Sequence, residues 1–595
     1  MGFKEIINPL LQIKFILREK NTVRVPYEEK KPAERYRGSH FNDINKCIGC
    51  GNCSTICMNE AIDMVKVDSS AIDDKEQDSG LRPRVDYGRC CYCGLCVDVC
   101  PSGSLQFSSE YKQIEETPDK FTYIPGIERK HLSESISYTK DMAVSLQNRE
   151  RVEMPHLDPD VRTNSFAEEV LGYSREEARK EAQRCMECGI CIVGCPAHMH
   201  IPEYINKIEN DDIAGSLQLM LDNNPLAEIC GKVCTRHCED LCVASSDGTP
   251  LAIRWLKRYA AEQIEEYQDA LDIKPGEGRE GSVGIIGAGP AGITAAYYLS
   301  MRGFDTILYE KHDRIGGMTY LGIPRYRLPL DSLERQHKLL EQAGVSIKLN
   351  TEIGSDIDFS TLKEKHDALF IGIGYHKSRE LSVEGNDLPG VMQAAEFLQR
   401  INTGETVDVG KKVIVIGGGN VAIDAARVSR RLGAEVEIYY RRRKIDMPAD
   451  MEEITAAEAE HIKIIQQNIP LRFEYGDKDK SFKYYCAPAK MVEEPGKSRP
   501  NPVMIEGEVF CIEDIDTVII AIGQNAESDF ISDYDIFGER GNIPVDDNGM
   551  TREEGVFAGG DTVNSKNDVI SAVADALKAV RGISSYLENN AEEQE

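Results

Sequence analysis

The distribution of apolar positions divides the chain into segments of two kinds. Short apolar runs at residues 282–286 and 412–416 each lead into a glycine-rich turn and a helix, and further strands are predicted at 306–309 and 435–440. A strand that runs directly into such a turn is typical of a Rossmann-type α/β domain. Residues 160–270 show helical periodicity with many charges, which predicts an α-helical domain.

The first twenty residues predict an amphipathic helix, whose apolar face carries Ile6, Leu10, Ile13 and Leu17. Charged residues interrupt this segment and no small-residue cleavage site follows, so it does not match a secretory signal. No run in the chain approaches the roughly 20 apolar residues that span a bilayer. We expect a cytoplasmic protein whose first helix docks on a partner subunit. Binding to a membrane surface is the alternative.

Length and net charge indicate how many domains the chain has and which kinds of partner it disfavours. The chain has 595 residues, enough for several cores, and its 70 Lys and Arg against 100 Asp and Glu give a net charge of -30. A surface this acidic disfavours nucleic acids and anionic membranes as partners. Other proteins are the expected partners.

Nineteen cysteines in a chain without an export signal indicate metal ligation rather than disulfides. Residues 47–57 and 90–100 both fit C-x2-C-x2-C-x3-C, the pattern of two-cluster ferredoxins, in which the fourth cysteine of each motif reaches the other cluster. The first [4Fe-4S] cluster would then take Cys47, Cys50, Cys53 and Cys100, and the second Cys90, Cys93, Cys96 and Cys57. Structural zinc is the alternative, but zinc sites normally use separated C-x2-C pairs.

Eight further cysteines follow in the predicted helical domain. They are Cys185, Cys188, Cys191 and Cys195, then Cys230, Cys234, Cys238 and Cys242. This number supports two more clusters and a total of four. Cys91, Cys486 and Cys511 are left as ordinary thiols.

Two glycine-rich turns predict dinucleotide sites. The first contains Gly287, Gly289 and Gly292, and the next strand ends in Glu310, placed to accept from a ribose hydroxyl. Asp561 follows a short apolar strand and precedes a predicted helix, which indicates the second half of a flavin site. Gly317 completes the residues expected to bind FAD.

The second turn contains Gly417, Gly419, Asn420 and Ala422. Here the following strand ends in three arginines, 441–443, where an acid would repel a 2′-phosphate. Guanidinium groups bind phosphate in a bidentate manner, so Arg441 and Arg442 predict NADP(H) as the ligand. A solvated basic run is the alternative.

From about residue 150 to its end, the chain resembles the glutamate synthase small subunit and the NADP-binding subunit of the ferredoxin-dependent NADH:NADP transhydrogenase. The N-terminal part of dihydropyrimidine dehydrogenase is also similar. The resemblance rests on residues 154–159 (MPHLDP), the cysteine motifs of 185–195 and 234–242, Asn224-Pro225, both glycine turns, 447–449 (MPA) and 559–561 (GGD). It implies an FAD domain split across two segments, with an NADP domain inserted between them.

Residues 20–105 resemble the two-cluster iron-sulfur subunit of respiratory complex I, through 22–27 (TVRVPY) and 35–38 (RYRG). The fusion is similar to subunits of the Sporomusa-type bifurcating transhydrogenase. In the relatives of the helical domain, a Gln or Glu after the last cysteine supplies one cluster ligand. Lys257 stands there in this chain, so the resemblance leaves open whether Cys230 or another group takes that position.

The sequence therefore predicts a multidomain protein with a ferredoxin-like two-cluster domain, an α-helical iron-sulfur domain and two α/β Rossmann-type domains. The predicted boundaries are an N-terminal arm at 1–38, the ferredoxin domain at 39–110, a linker at 111–150, the helical domain at 151–272, the FAD domain at 281–390 and 524–588, and the NADP domain at 391–523.

We expect an oxidoreductase that moves electrons from NADPH to FAD, to the clusters of 185–242, to those of 47–100 and then to ferredoxin or a partner subunit. No side chain is nominated as a catalytic acid or base, because hydride transfer needs none. The main hypothesis is a subunit of an electron-bifurcating transhydrogenase. A simpler NADPH-dependent reductase and a membrane-associated electron-transfer module are the alternatives.

Overall fold

The computed structural model describes residues 32–33, 35–67, 78–110, 115–129, 136–142, 150–246, 249–476, 481–496, 499–538, 541–564 and 566–594. They fall into two compact units, Met1–Asn148 and Arg149–Glu595. The predicted amphipathic helix at the N-terminus lies outside the described residues. None of the helices in the described ranges combines the length and apolar character needed to cross a membrane.

The first unit contains two antiparallel sheets of three strands each. One has the order β1-β4-β6, formed by His40–Asn42 (β1), Leu105–Ser108 (β4) and Ile136–Tyr138 (β6). The other has the order β2-β3-β5, formed by Ile62–Lys66 (β2), Leu81–Asp86 (β3) and Thr122–Tyr123 (β5). Two short helices, Asn52–Thr55 (α1) and Leu95–Asp98 (α2), lie within the cysteine motifs.

Part of the predicted linker is folded, which corrects the expectation for residues 111–150. Strand β6 pairs with β4 so that Tyr138 lies opposite Phe107, and β5 pairs with β3 through Tyr123 and Val85. These four side chains are buried in the core of the first unit. The charge-rich composition hid the strands, because each is only two or three residues long.

The second unit begins with the predicted helical domain, and the helical prediction is confirmed. Its helices are Pro159–Arg162 (α3), Arg175–Ala182 (α4), Ile190–Gly194 (α5), Ile201–Glu209 (α6), Ile213–Leu221 (α7), Ala227–Val233 (α8), His237–Asp240 (α9), Ile253–Ala261 (α10) and Ile264–Tyr267 (α11). Ser174 and Glu177 form a capping box that fixes the start of α4. Asp212 caps α7 in a similar way, so local sequence sets both helix starts.

A parallel five-stranded sheet follows, with the order β22-β10-β7-β8-β9. Its strands are Ser282–Ile286 (β7), Asp305–Tyr309 (β8), Ser346–Lys348 (β9), Ala368–Ile371 (β10) and Val556–Ala558 (β22). The helices of this part are Pro290–Met301 (α12), Met318–Leu321 (α13), Leu330–Gln342 (α14), Phe359–Lys365 (α15), Asp561–Asn564 (α19) and Val569–Gln594 (α20). Since β22 and α20 come from the C-terminal end of the chain, two distant segments build one domain.

A second parallel sheet has the order β12-β20-β13-β14-β15. Its strands are Val391–Gln393 (β12), Lys412–Gly417 (β13), Glu435–Tyr439 (β14), Lys463–Ile465 (β15) and Thr517–Ala521 (β20), with helices Ala394–Asn402 (α16), Asn420–Arg431 (α17) and Met451–Ala459 (α18). An antiparallel sheet is added by Asn468–Gly476 (β16), Ser481–Val492 (β17), Asn501–Met504 (β18) and Phe510–Ile515 (β19). The chain enters and leaves this domain through Lys377–Ser378 (β11) and Gln524–Asn525 (β21), which pair antiparallel.

Candidate active site and cysteine groups

The first glycine turn joins strand β7 to helix α12. Gly287 has a φ of 94°, which favours glycine, and a Cβ on Gly292 would overlap the Gly287 carbonyl oxygen. Glycine at 292 therefore lets the helix approach the strand closely, the role expected of the third glycine in this motif.

Glu310, at the end of β8, is buried and holds the turn with both carboxylate oxygens. One oxygen accepts from the Ala288 N-H at 2.8 Å and the other from the His312 N-H at 3.0 Å. The carboxylate also lines the large cavity described next, which keeps it available to a ligand hydroxyl.

Most of the residues predicted to bind nucleotides line one cavity of about 1190 Å³ in the second unit. Those that line it are Gly287, Gly289, Glu310, Gly317, Gly417, Gly419, Asn420, Arg441, Arg442 and Asp561. Gly292 and Ala422 instead lie in helices α12 and α17 and serve packing. The fold thus brings two separately predicted sites into one cavity, as hydride transfer between two bound ring systems requires.

Gly317 and Asp561 also line the cavity. A Cβ on Gly317 would stand 2.9 Å from the Gly289 Cα, so the two backbones approach as only glycines allow. Asp561 is the first residue of α19, and burial together with the nearby Asp568 and Asp575 raises its pKa to about 6.

The three consecutive arginines have different surroundings. Arg443 forms an ion pair with Asp446 at 2.7 Å, whereas Arg441 and Arg442 line the cavity. Burial and the neighbouring guanidinium groups of Arg442 and Arg499 lower the pKa of Arg441. Within the described residues, no carboxylate forms an ion pair with Arg441, Arg442 or Arg499. They concentrate positive charge on a wall of the cavity.

Sequence reasoning missed Arg499. It lines the same cavity from the segment before strand β18, and the Arg442 Nε donates to the neighbouring Pro500 carbonyl at 2.8 Å. No motif marks this arginine, because it reaches the site only through the antiparallel sheet inserted after β15.

In the first unit, one small cavity of about 20 Å³ is lined by Cys47, Cys50, Cys53 and Cys100, the set predicted for the first cluster. Burial and the neighbouring Cys47, Cys50 and Cys100 raise the pKa of Cys53 to about 12. Among the described residues, no three His, Cys, Asp or Glu side chains are arranged to hold a single metal ion.

The second predicted set is also brought together. Burial and the nearby thiols of Cys90, Cys53, Cys93 and Cys57 raise the pKa of Cys96, so three of its four thiol neighbours belong to the same predicted set. Thiols with raised pKa values are neutral at pH 7, so binding a metal cluster would release their protons.

The eight cysteines of the helical domain separate into two groups of four, a division that the sequence did not predict. Burial and the neighbours Cys185, Cys188 and Cys242 raise the pKa of Cys191 to about 12. Cys195, Cys230, Cys234 and Cys238 form the other group, all within the electrostatic reach of Lys257.

Lys257 lies in helix α10 with only 3% of its surface exposed. Burial opposes its charge, but Cys234, Cys230, Cys195 and Cys238 outweigh burial and raise its pKa. The hydrogen bond from Cys230, opposed by burial and assisted by Lys257, lowers the pKa of Cys234 to about 6. An ammonium group cannot ligate iron, so this lysine contributes charge to the group.

The cysteine group around Lys257 adjoins the large cavity. Val233 and Thr235, the residues on either side of Cys234, both line the cavity that contains the glycine turns. An iron-sulfur cluster held at Cys234 would therefore be next to a bound dinucleotide.

Comparison with known families agrees with this arrangement. Residues 46–104 match the 4Fe-4S dicluster domain, residues 162–269 match the 4Fe-4S cluster domain II of dihydropyrimidine dehydrogenase, and residues 281–579 match pyridine nucleotide-disulphide oxidoreductase. The chain belongs to the pyridine nucleotide-disulphide oxidoreductase family.

Three similar proteins illustrate the range of this family. The chain is 36% identical over 427 residues to the NADPH-Fe(3+) oxidoreductase subunit beta of Geobacter sulfurreducens, covering 67% of this chain and 63% of that protein. It is 36% identical over 423 residues to the NADP(+)-dependent formate dehydrogenase subunit beta of Moorella thermoacetica, covering 67% and 60%. It is 31% identical over 461 residues to the glutamate synthase [NADPH] small chain of Escherichia coli, covering 74% and 98%.

The chain therefore spans less than two thirds of the first two relatives and nearly all of the third. These matches confirm the predicted family and fold class. The chain thus joins two 4Fe-4S domains to a pyridine nucleotide-disulphide oxidoreductase domain.

Proposed function

We propose that this oxidoreductase is the NADP(H)-reacting subunit of a hetero-oligomeric complex and exchanges electrons with ferredoxin or a partner subunit through four [4Fe-4S] clusters. The observation that carries the proposal is the shared cavity, which both glycine turns and the two neighbours of Cys234 line. Donor, flavin and first cluster could therefore lie within one enclosure.

The residues on the FAD side fit a dinucleotide. Gly287, Gly289 and Gly317 leave room for close approach of a diphosphate, and the N-terminus of α12 favours its negative charge. Glu310 would accept from a ribose hydroxyl, Gly292 supports the turn, and Asp561 would contact the flavin half. When bound, FAD would accept a hydride from NADPH and release its electrons singly to the clusters.

The second turn, with Gly417, Gly419, Asn420 and Ala422, would orient NADP(H). Arg441 and Arg442 would bind its 2′-phosphate, and Arg499 would add a third guanidinium group. Uncompensated charge at this point in a chain of net charge -30 supports a strongly anionic ligand.

Sixteen cysteines would hold four clusters. The four sets are Cys47, Cys50, Cys53 and Cys100; Cys57, Cys90, Cys93 and Cys96; Cys185, Cys188, Cys191 and Cys242; and Cys195, Cys230, Cys234 and Cys238. Cys230 is fully buried and hydrogen-bonds Cys234, which supports it as the fourth ligand beside Lys257. The set at Cys234 adjoins the cavity and would receive electrons before the set at Cys185 and those of the first unit.

The relatives named as beta subunits or small chains support a role within a larger complex. We infer that this complex is a transhydrogenase that divides the electron pair from NADPH between ferredoxin and NAD. A linear NADPH-dependent reductase is the second candidate, favoured by the relatives named NADPH-Fe(3+) oxidoreductase and glutamate synthase.

Anaerobic ferredoxin reduction by the natively purified complex distinguishes these two candidates. We expect NADPH to reduce ferredoxin only when NAD is also present, because the favourable transfer to NAD must drive the unfavourable one. Reduction of an acceptor by NADPH at the same rate without NAD would establish the linear reductase instead.

The phosphate site is tested by replacing arginines one at a time. Arg441→Ala and Arg499→Ala should each weaken NADPH binding about tenfold or more, since each removes a charged hydrogen bond, and leave NADH binding nearly unchanged. Arg443→Ala is the matched control because Asp446 already engages that side chain. Equal losses for NADPH and NADH would contradict the phosphate assignment.

A further inference from the structure

His40 lies on strand β1 of the first unit and is completely buried against one cysteine. Its Nε2 stands 3.2 Å from the Sγ of Cys96, and its ring packs on Phe107 with centroids 4.4 Å apart. The contact with Cys96 does not follow from the cysteine spacing, since 56 positions separate His40 from Cys96 in sequence.

The opposite edge of the ring faces Tyr87. The Tyr87 hydroxyl oxygen lies 3.1 Å from the His40 Nδ1 and accepts from the His40 backbone N-H at 2.9 Å. Tyr123 stacks on the Tyr87 ring at 4.7 Å and is a second neighbour of that hydroxyl. Backbone and ring contacts together hold the imidazole in one orientation.

The protonation state of the Cys96 sulfur determines which atom donates the hydrogen bond between it and His40. A cysteine that ligates iron is a thiolate and has no hydrogen to give, so a hydrogen bond at 3.2 Å must be donated by the His40 Nε2-H. In a neutral imidazole, Nδ1 is then an acceptor. The Tyr87 hydroxyl, 3.1 Å away, is placed to donate its hydrogen to this nitrogen.

We propose that His40 is a positioning residue that donates a hydrogen bond to Cys96 and raises the reduction potential of the cluster held by Cys57, Cys90, Cys93 and Cys96. This inference rests on the proposed function, since it requires that cluster. One-electron reduction adds negative charge to the cluster and its thiolates, so a donor at the sulfur stabilises the reduced state more than the oxidised state.

The other cluster of the first unit provides an internal comparison. There, Cys100 Sγ has the Ser104 hydroxyl at 3.4 Å and the Ser102 hydroxyl at 3.6 Å, and no imidazole contact is found among the described residues. Ser104→Ala is therefore a control that should affect the other signal and leave that of the Cys96 cluster alone.

The test is an anaerobic redox titration of the full chain, followed by electron paramagnetic resonance. Cys93→Ser identifies the relevant signal, because Cys93 belongs to the same set. We expect His40→Leu to move this signal to lower potential, reducing the ratio of reduced to oxidised cluster about fivefold at a fixed potential, as loss of one hydrogen bond implies. The other three signals should not move.

Two more variants keep the test decisive if His40→Leu fails to assemble. His40→Gln retains an N-H donor and should restore much of the wild-type potential, while Tyr87→Phe removes the hydrogen expected at Nδ1 and should lower it. A wild-type potential in Tyr87→Phe and in an iron-replete His40→Leu would overturn the inference. Fewer than four cluster signals in the unmodified protein would contradict the proposed function instead.

Discussion

Asp561 illustrates how burial at a single residue makes stability depend on pH. Its pKa is raised to about 6 by burial and by Asp568 and Asp575, so the folded state favours the protonated acid. The stabilisation is present at low pH and is lost as pH rises through about 6. We expect Asp561→Asn to raise the melting temperature of flavin-free protein at pH 7.5 and to change it little at pH 4.5. Calorimetry that gives the same shift at both pH values would contradict this prediction.

Lys257 places a buried positive charge beside four cysteines. Lys257→Met should make the adjoining cluster harder to reduce, because the neutral side chain no longer compensates the added electron. A redox titration checks this, with the exposed Lys180→Met as a control. An unchanged potential in an iron-replete variant would show that the charge is screened at this site.

At the scale of the element, the junction between β7 and α12 depends on one close approach. Gly292→Ala would press a methyl group against the Gly287 carbonyl, so we expect a loss of about 1–3 kcal/mol of stability together with weaker retention of FAD. Absorbance of the purified protein and thermal unfolding measure the two effects. Gly278→Ala is the matched control, because nothing lies within 4 Å of its Cβ position. Full flavin content in Gly292→Ala would contradict the prediction.

The sequence predicted helices and strands correctly where the pattern of one continuous segment is enough to define the element. The strand before Gly287 and the helix that begins at Val569 lie where periodicity indicated. Arg443 and Arg499 show the limit: the first adjoins Arg442 in sequence but pairs with Asp446, whereas the second is distant but lines the cavity. Tertiary contacts decide such cases, as they also decide which of the eight later cysteines share a group.

At the scale of the second unit, a buried ion network joins the helical domain to the domain built on the second parallel sheet. Glu460 is fully buried and binds Arg427 at 2.6 Å and Arg431 at 2.7 Å, and Glu169 from the helical domain pairs with Arg427. Although burial alone would raise the pKa of Glu460, the two arginines lower it. Its stabilisation is therefore present above the ordinary glutamate pKa and is lost as pH falls below that range.

Glu460→Gln should lower the free energy of unfolding by about 1–3 kcal/mol at pH 7, because it removes a negative charge that two buried guanidinium groups share while Glu169 and Glu453 stay in place. Denaturant unfolding measures the loss. Glu474→Gln breaks the exposed pair with Arg472 and should leave the free energy of unfolding almost unchanged, because water screens that pair. Similar values for the two variants would refute the importance of burial in this network.

The antiparallel pair of β11 and β21 also bears on how such a chain could arise and be rebuilt. Ser378 lies opposite Gln524, so the inserted segment begins and ends at neighbouring points of its host. Excision would leave two adjacent ends that a short peptide could close, and a foreign domain with adjacent termini could be grafted there. The inserted segment is thus a separable part of the fold, open to exchange by recombination in evolution or in the laboratory.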